Sequence, residues 1–229
     1  SAIHASYGRG VNYPGIFVAA QSNLLWGGNT RWKNLDPETV DHFEAGLSRS
    51  FSPKIRADVT FFHDKGRNRF ILVTVPGPPH YENITGFRIR GMEATVTFTP
   101  MGELTTFIGG TWIPDTSPDN LPYAPEWSVS AGMNRRFFER FRLNLDALWQ
   151  AGQYVANNRV ANYGGSSIAE VSGFFLLNGK VSWELRTRSP GFSGELYLVG
   201  ENLADHDYAY KKDYPMPGIT GMVGINLRF

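Results

Sequence analysis

The sequence predicts an all-β fold, in which about ten antiparallel strands cross a membrane as part of a transmembrane β-barrel. Three observations point to this fold. Apolar and polar residues alternate with a period of two, short and long connections alternate along the chain, and no stretch approaches the roughly 20 apolar residues that a membrane helix needs. A chain of 229 residues is long enough for one large domain.

Composition excludes several classes of protein. The 22 basic and 21 acidic residues leave a formal net charge of +1, so there is no electrostatic case for nucleic acid as a partner. The chain has no cysteine, which excludes a disulfide framework, a thiolate metal site and a cysteine nucleophile. Its first residues read as a strand and not as a signal peptide, so we expect a mature chain or a fragment.

The last strand shows the alternation most clearly. From Ile219 to Phe229 the odd positions are apolar or glycine, whereas the even positions include Asn226 and Arg228. Successive side chains of a strand point to opposite faces, so this pattern gives one apolar and one mostly polar face. The same alternation recurs in the runs 55–64, 140–150 and 175–184.

The predicted strands cover most of the chain, with ends uncertain by about two to four residues. Outer-membrane barrels have tight periplasmic turns and long extracellular loops, and the connections here alternate in this way. Short turns are predicted near residues 52–53, 100–102, 138–139 and 187–191, and long loops at 10–38, 76–82, 115–124, 153–168 and 204–217. The strands are predicted at about 2–9, 39–51, 54–75, 83–99, 103–114, 125–137, 140–152, 169–186, 192–203 and 218–229.

Many charged side chains lie on one face of the predicted strands, and along several strands the other face is nearly free of charge. An unpaired buried charge is costly, so the charged face requires a wide, wet or plugged lumen. The apolar face is nearly free of charge, as lipid demands, because a charge at the bilayer midplane costs roughly 2–4 kcal/mol. The charged residues of the polar face include Arg56, Asp58, Arg142, Asp146, Lys180, Glu184, Glu195 and Glu201.

Aromatic residues cluster near the predicted strand ends. Two such rows are typical of the interfacial girdles of a membrane barrel. The alternative is that they are core aromatics of a soluble β-protein. One row comprises Phe51, Phe137, Phe138, Phe192 and Phe229, and the other comprises Trp112, Trp127, Trp149 and Tyr154.

Five sequence blocks resemble those of a known family. In their order along the chain, and on a matching strand pattern, they are similar to the barrel of TonB-dependent transporters. The blocks are 35–39 (LDPET) with 43–47 (FEAGL), 81–84 (YENI) with 88–93 (RIRGME), 121–125 (LPYAP), 201–208 (ENLADHDY), and 214–218 (YPMPG) before the last strand.

The resemblance implies that residues 1–229 are one incomplete domain, the C-terminal part of a barrel of about 22 strands in the bacterial outer membrane. The family's plug domain and its TonB-binding segment are not recognised in this chain. Ten strands alone would leave two unpaired edges, which cannot face lipid. We therefore expect the remaining N-terminal strands and the plug, as a separate chain or segment, to be partners, together with outer-membrane lipid and, through the plug, TonB.

The resemblance also implies a function, which is active uptake of a metal chelate such as a ferric siderophore, cobalamin or haem. No catalytic residue, metal ligand or cofactor is expected. Aromatic side chains of the loops and upper lumen offer large contact area at low entropic cost, although some could instead anchor the interface or pack loops. The candidate substrate-binding residues are Tyr13, Trp26, Trp32, Tyr81, Tyr123, Tyr154, Tyr163, Tyr208 and Tyr210.

Three alternatives stay open. Ten-stranded outer-membrane proteases use Asp and His at the outer rim, and the neighbouring pairs here are His63 with Asp64, and His206 with Asp205 and Asp207. A passive porin would conduct without TonB. A soluble β-sandwich would be extracted without detergent.

Asp41, His42 and Glu44 raise the question of a metal site near the start of the second strand. Strand alternation places Asp41 on the face opposite to His42 and Glu44. We therefore expect no complete ligand set there.

Overall fold

Strands dominate the computed structural model, which is nearly all-β. Among the residues that the structure describes, no helix is long and apolar enough to cross a membrane. The short helical segments are α1 (Ile16–Ala20), a π-helical turn (Gln21–Leu25) and a 3-10 helix (Arg31–Asn34). The structure describes residues 1–25, 30–73, 79–84, 86–117, 121, 123–156, 168–186 and 193–228.

Ten strands form one antiparallel sheet in the order β1-β2-β3-β6-β7-β8-β9-β12-β13-β16. The other six strands pair as β4-β5, β10-β11 and β14-β15. The strands are β1 (Ala2–Asn12), β2 (Glu38–Ser52), β3 (Ile55–Arg67), β4 (Arg69–Val73), β5 (His80–Ile84), β6 (Arg88–Met101), β7 (Leu104–Trp112), β8 (Trp127–Phe137), β9 (Phe141–Gln150), β10 (Gln153–Ala156), β11 (Ile168–Val171), β12 (Phe174–Arg186), β13 (Ser193–Glu201), β14 (Ala209–Lys211), β15 (Tyr214–Pro215) and β16 (Thr220–Arg228).

The predicted ten-stranded antiparallel sheet is confirmed, but three of the predicted strands are divided in the structure. The predicted runs 54–75, 83–99 and 169–186 cover β3 with β4, the end of β5 with β6, and β11 with β12. The strands β10, β14 and β15 lie in the predicted loops 153–168 and 204–217. Asn68 adopts a φ of 57°, which ends β3 and redirects the chain. A Cβ at Gly173 would lie 2.6 Å from the Gln150 carbonyl oxygen, so this break needs a glycine.

The chain folds into two compact units. The first unit contains Ser1–Ile3, Gly46–Thr60 and Met92–Phe229, and the second contains His4–Ala45 and Phe61–Gly91. Each unit is described by itself below.

An apolar row crosses four neighbouring strands of the first unit. Leu143 pairs with Val181, Val181 with Leu198, and Leu198 with Val223, so these side chains share one face. Val181, Leu198 and Val223 are 47%, 55% and 72% exposed. The predicted apolar face is therefore real, and nothing within the described part of the chain covers it.

The opposite face of the same strands is held by ion pairs. Lys180 Nζ lies 2.9 Å from a Glu195 carboxylate oxygen. The Glu184 carboxylate pairs with two arginines of β8 and β9, Arg136 at 3.0 Å and Arg142 at 3.6 Å. These half-exposed pairs satisfy the charges without a dry core, as the predicted wet or plugged lumen requires.

Aromatic residues mark both ends of the apolar face. Trp112, the last residue of β7, stacks on Trp127, the first of β8, with ring centroids 5.6 Å apart. Trp149 lies near the same end and is 45% exposed, whereas Phe137 ends β8 at the turn. Tyr154 does not belong to this row, because it lies on β10 in a separate hairpin. Phe192 and Phe229 of the predicted rows lie outside the described residues.

Very little of the described chain is a hydrophobic core. The buried apolar side chains are Val155, Val171, Phe174 and Leu176, and all four belong to β10, β11 or the start of β12. A sandwich would instead bury one face of the sheet against a second layer. The large exposed apolar face is thus suited to contact with lipid.

Two adjacent residues of β13 test which face meets lipid. We expect Leu198→Arg, in mid-strand on the apolar face, to lower the free energy of unfolding by roughly 2–4 kcal/mol. Val199→Arg, on the polar face opposite Lys180, should cost less than about 1 kcal/mol because water screens the added charge. Denaturant unfolding of the complete protein in lipid vesicles measures both, and equal losses would contradict the assignment of faces.

Candidate ligand-binding site

The β10-β11 hairpin forms the base of the candidate site. Its strands pair Gln153 with Val171, Tyr154 with Glu170 and Val155 with Ala169. Alternation and β-branched residues favour this short hairpin, which buries Val155 completely. Tyr154 points to the other face and is 39% exposed.

The β14-β15 hairpin brings two tyrosines against the start of β12. The Phe174 ring is 3% exposed and lies 5.0 Å from the Tyr208 ring and 5.3 Å from the Tyr210 ring. The two tyrosine rings are 5.6 Å apart and nearly perpendicular. Edge-to-face contacts of this kind are favourable and orient the rings. We name Phe174, Tyr208 and Tyr210 the aromatic triad.

Asn202 fixes the loop that carries the aromatic triad. It is 3% exposed and has a φ of 50°, which asparagine tolerates better than most residues. Its side-chain amide donates to the carbonyl oxygens of His206 (3.0 Å) and Pro217 (3.3 Å), and its side-chain oxygen accepts from the His206 N–H (3.0 Å). Its own N–H donates to the Asn178 side chain at 2.9 Å, which ties the loop to β12.

Further hydrogen bonds join the two hairpins. The Gln153 side-chain amide donates to the Tyr210 carbonyl oxygen at 3.1 Å. The Met216 N–H donates to the Tyr208 carbonyl oxygen at 2.9 Å, which closes the β14-β15 hairpin. The aromatic triad is therefore held by backbone hydrogen bonds as well as by ring contacts. Because the loop is already ordered, less conformational entropy would be lost when a ligand binds.

A pocket of about 360 Å³ lies beside the aromatic triad. Its walls combine aromatic surface, carboxylates and a lysine, so it can stack on a ligand and hydrogen-bond its edges. The lining residues include Glu170, Asp207, Tyr208, Lys212, Tyr214 and Met216.

Tyr210 is the member of the triad whose ionisation is altered. Burial, with a smaller contribution from Tyr208, raises the pKa of the Tyr210 phenol above its ordinary value. The shift leads away from neutral pH, where an ordinary tyrosine is already protonated, so the phenol is a hydrogen-bond donor.

Four of the nine predicted aromatic residues fall in this region. Tyr208 and Tyr210 belong to the triad, and Tyr154 lies on the adjacent hairpin. Tyr123 joins them through its backbone N–H, which donates to the Tyr154 carbonyl oxygen at 2.7 Å, and its side chain is 50% exposed. Sequence reasoning named these residues but could not show that they converge.

The second unit holds three others. The Tyr81 hydroxyl donates to the Gln21 side chain at 2.6 Å. The Trp32 indole N–H is buried without a hydrogen-bond partner among the described residues, and Tyr13 is 69% exposed. Trp26 and Tyr163 lie outside the described residues.

Sequence reasoning missed Phe174, Gln153 and the role of Asn202. In the sequence, Phe174 is one residue of an alternating strand. Its role in the site is visible only in the structure, where a distant loop packs against it. Asn202 lies inside the 201–208 block that carries the family resemblance, and that block was the one available signal.

The pairs considered for a protease have other partners in the structure. Asp64 Oδ1 lies 2.6 Å from Nδ1 of His42, and His63 is on the opposite face of β3 by strand alternation. The Asp205 carboxylate accepts the Ile219 N–H at 2.9 Å, which is a loop-closing role.

A second polar cluster, in the second unit, bears on the question of a metal. His42 lies 3.6 Å from Glu44, which is also 3.2 Å from His4. Asp41 is on the other face, as predicted, where it pairs with Arg9. Within the described residues, no group of three His, Asp or Glu side chains has the arrangement that a metal ion needs.

Comparisons with known proteins agree with this architecture. Residues 1–203 match the family model described as "TonB dependent receptor-like, beta-barrel". A sequence comparison with curated proteins found no match.

Solved structures share the fold at low sequence identity. A mutant of the ferric enterobactin receptor PfeA of Pseudomonas aeruginosa has a TM-score of 0.74 at 16% identity, covering 99% of this chain and 38% of its own. The ferric-catecholate import receptor Fiu of E. coli K12 has a TM-score of 0.67 at 17% identity, covering 99% and 33%. The copper transporter OprC has a TM-score of 0.73 at 16% identity, covering 99% and 37%. The chain thus spans about a third of the length of these proteins.

The aromatic triad can be tested with two adjacent phenylalanines. We expect Phe174→Ala to leave a cavity and to cost about 3–5 kcal/mol locally. Amide hydrogen exchange in the β14-β15 hairpin should then accelerate at least tenfold, since roughly 1.4 kcal/mol is a factor of ten. Phe175→Ala, on the opposite face, should leave that hairpin unchanged. Protection that persists in Phe174→Ala would show that the ring does not hold the loop.

Proposed function

The chain belongs to the TonB-dependent receptor-like β-barrel family, and from this membership we propose that it is the C-terminal part of an outer-membrane receptor that takes up a metal chelate. The observation that carries the proposal is the family match over residues 1–203, on a sheet whose apolar face is uncovered. The aromatic triad and its pocket, in the loops at one end of the strands, are where the ligand would bind.

A ferric siderophore is the substrate class that we propose first. Structural neighbours include a siderophore receptor, a ferric-catecholate import receptor and ferric enterobactin receptors. The pocket offers ring faces for stacking, and its wall carries Lys212 with the carboxylates Glu170, Asp207 and Asp213. Next to it, the Lys211 ammonium lies 5.1 Å from the Tyr214 ring centre. The ring faces suit a chelate with aromatic groups, and the polar groups can hydrogen-bond its edges. Cobalamin and haem are the other chelates that the family implies.

The receptor would need partners that supply its remaining parts. The ten-stranded sheet has β1 and β16 at its two ends, and the chain spans about a third of the neighbours' length. We propose that N-terminal strands complete the barrel, that a plug fills it, and that TonB, acting through the plug, provides the energy. The ion-paired polar face of β9, β12 and β13 would line the lumen next to the plug.

We also propose that the protein makes and breaks no covalent bonds. This is supported by the Asp205 carboxylate, which accepts the Ile219 N–H and closes the loop. Of the other two carboxylates that stood beside histidines in the sequence, Asp64 contacts His42 and Asp207 lines the pocket.

Uptake of a radiolabelled ferric siderophore by cells tests the proposal. A strain that lacks its own receptor and expresses the complete protein should accumulate iron only when TonB is present, whereas binding at the cell surface should persist without TonB. Accumulation without TonB would favour a porin, and cleavage of added peptides would favour a protease. Either result would overturn the proposed uptake mechanism.

Tyr208→Ala should weaken binding of the chelate about three- to tenfold, because a stacked ring contributes roughly 0.5–1.5 kcal/mol. Tyr208→Phe keeps the ring and should bind as the parent does. Surface binding titrations with both variants measure the difference. If Tyr208→Ala binds normally, the triad is a structural feature and the ligand binds elsewhere.

A further inference from the structure

One face of the second unit carries an unusual set of cations. On the strands β1, β3 and β6 these side chains are exposed to solvent. We name them the basic row, and its members are Arg9, Lys65, Arg67, Arg88 and Arg90.

Contacts to Asp41 show that the first strands present the row on a common face. Asp41, on β2, accepts from the Arg9 guanidinium at 2.6 Å and from the Arg67 guanidinium at 3.0 Å. The Tyr7 hydroxyl donates to the same carboxylate at 2.8 Å. One 5% exposed carboxylate thus holds two arginines in fixed positions.

Strand pairing extends the row to β6. The Gly66 N–H donates to the Phe87 carbonyl oxygen at 2.9 Å, and the Phe87 N–H donates back at 3.2 Å. In an antiparallel pair this exchange places the flanking residues Lys65 and Arg88 directly opposite each other, with their side chains close together. Alternation puts Arg90 on the same face. Lys65, Arg88 and Arg90 therefore lie close together on one face of the sheet.

The basic row continues the apolar face of the same strands. The Tyr7 ring lies 4.8 Å from the ring of Phe43, which is 48% exposed and stands two residues from Asp41 on β2. On β3, Phe61 is 59% exposed and precedes Lys65 on the same face by four residues. At about 3.3 Å per residue, the cations begin within roughly 7–13 Å of the last exposed aromatic side chains. That distance is comparable to the distance between the edge of the hydrocarbon region of a bilayer and its headgroups.

Negative charge is scarce on this face. Of the acidic residues on β1, β2 and β3 in the second unit, Glu44 and Asp64 contact His42 on the other face, and Glu38 accepts from Asn12. On these three strands, Asp41 is then the carboxylate on the same face as the basic row. It pairs with Arg9 and Arg67, and the row contains five cations in all. The surface is therefore complementary to a ligand that carries more than one negative charge.

We infer that the basic row binds the phosphate groups of an anionic lipid of the outer leaflet, whose acyl chains lie along Phe43 and Phe61. The inference rests on the proposed function, since it needs the apolar face to be in a membrane with the long loops outside. Arginine matches phosphate with paired hydrogen bonds, and lysine adds a point charge. Arg9 and Arg67 are already oriented by Asp41, and Tyr7 is suited to the interface.

The complete receptor, purified in non-ionic detergent, permits a direct test. The probes are diphosphorylated lipid A and the same lipid with its phosphates removed, and binding is measured by native mass spectrometry at low and high salt. The test variant is the triple substitution Lys65→Gln, Arg88→Gln and Arg90→Gln, which spares the arginines that pair with Asp41. The control is Arg49→Gln, Lys54→Gln and Arg135→Gln, which removes three charges near the short turns.

We expect the parent and the control to bind the phosphorylated lipid at least tenfold more tightly than the dephosphorylated one, with affinity falling as salt rises. The test variant should lose most of this preference. Equal losses in both variants, an unchanged test variant, or a parent that ignores the phosphates would each overturn the inference.

Binding of the ferric siderophore by the same variants separates this inference from the proposed function. A test variant that loses lipid preference but binds the chelate normally supports both. If the parent protein took up no chelate, the proposed function would be overturned. The lipid measurement would still be valid, because it does not depend on uptake.

Discussion

Each strand of this protein meets two different solvents, and the rest of the structure follows from that constraint. The row from Leu143 to Val223 is apolar and uncovered, while the adjacent positions hold Lys180 and Glu195 in an ion pair. Hydrogen bonding between neighbouring strands satisfies the backbone on both sides, which is the condition for polypeptide to cross lipid without helices. A conventional buried core is then unnecessary, and the few buried apolar side chains belong to β10, β11 and the start of β12.

In a soluble protein, packing of this kind would lie at the centre of the fold. Here it lies where the segment of Tyr208 and Tyr210 meets the start of β12. Phe174, the aromatic triad's buried member, is a strand residue that receives its neighbours from a loop far along the chain. Asn202 secures that loop with one amide side chain and one backbone N–H. In the proposed site, the residues that would contact the ligand are the residues that stabilise the loop, so substitutions that alter binding would also alter the folding of the loop.

Sequence reasoning reached the strands and the family but not the site. Alternation is local, so runs such as 140–150 and 219–228 could be assigned without knowing their partners. The breaks at Asn68 and Gly173 were missed because the residues beyond them, in β4 and β11, are also mostly apolar and include the β-branched residues that strands favour. The contacts of Tyr123 with Tyr154 and of Gln153 with Tyr210 could not be predicted, since they depend on packing between distant segments. The basic row was hidden for a similar reason, because only strand pairing brings Lys65 next to Arg88.

The two-residue period also restricts how such a chain can evolve. Leu198 and Val199 are neighbours in the chain, yet their side chains lie on opposite faces of the sheet, one apolar and one polar. Deleting Tyr197 from the middle of β13 would invert every side chain beyond the deletion, presenting Glu201 to hydrocarbon and turning Leu198 to the interior. Strands of this kind can change length only in pairs of residues or through a bulge, whereas the loops are free to lengthen by any number. Insertions and deletions of any length can for this reason be accepted in the loops, which is where the proposed binding site lies.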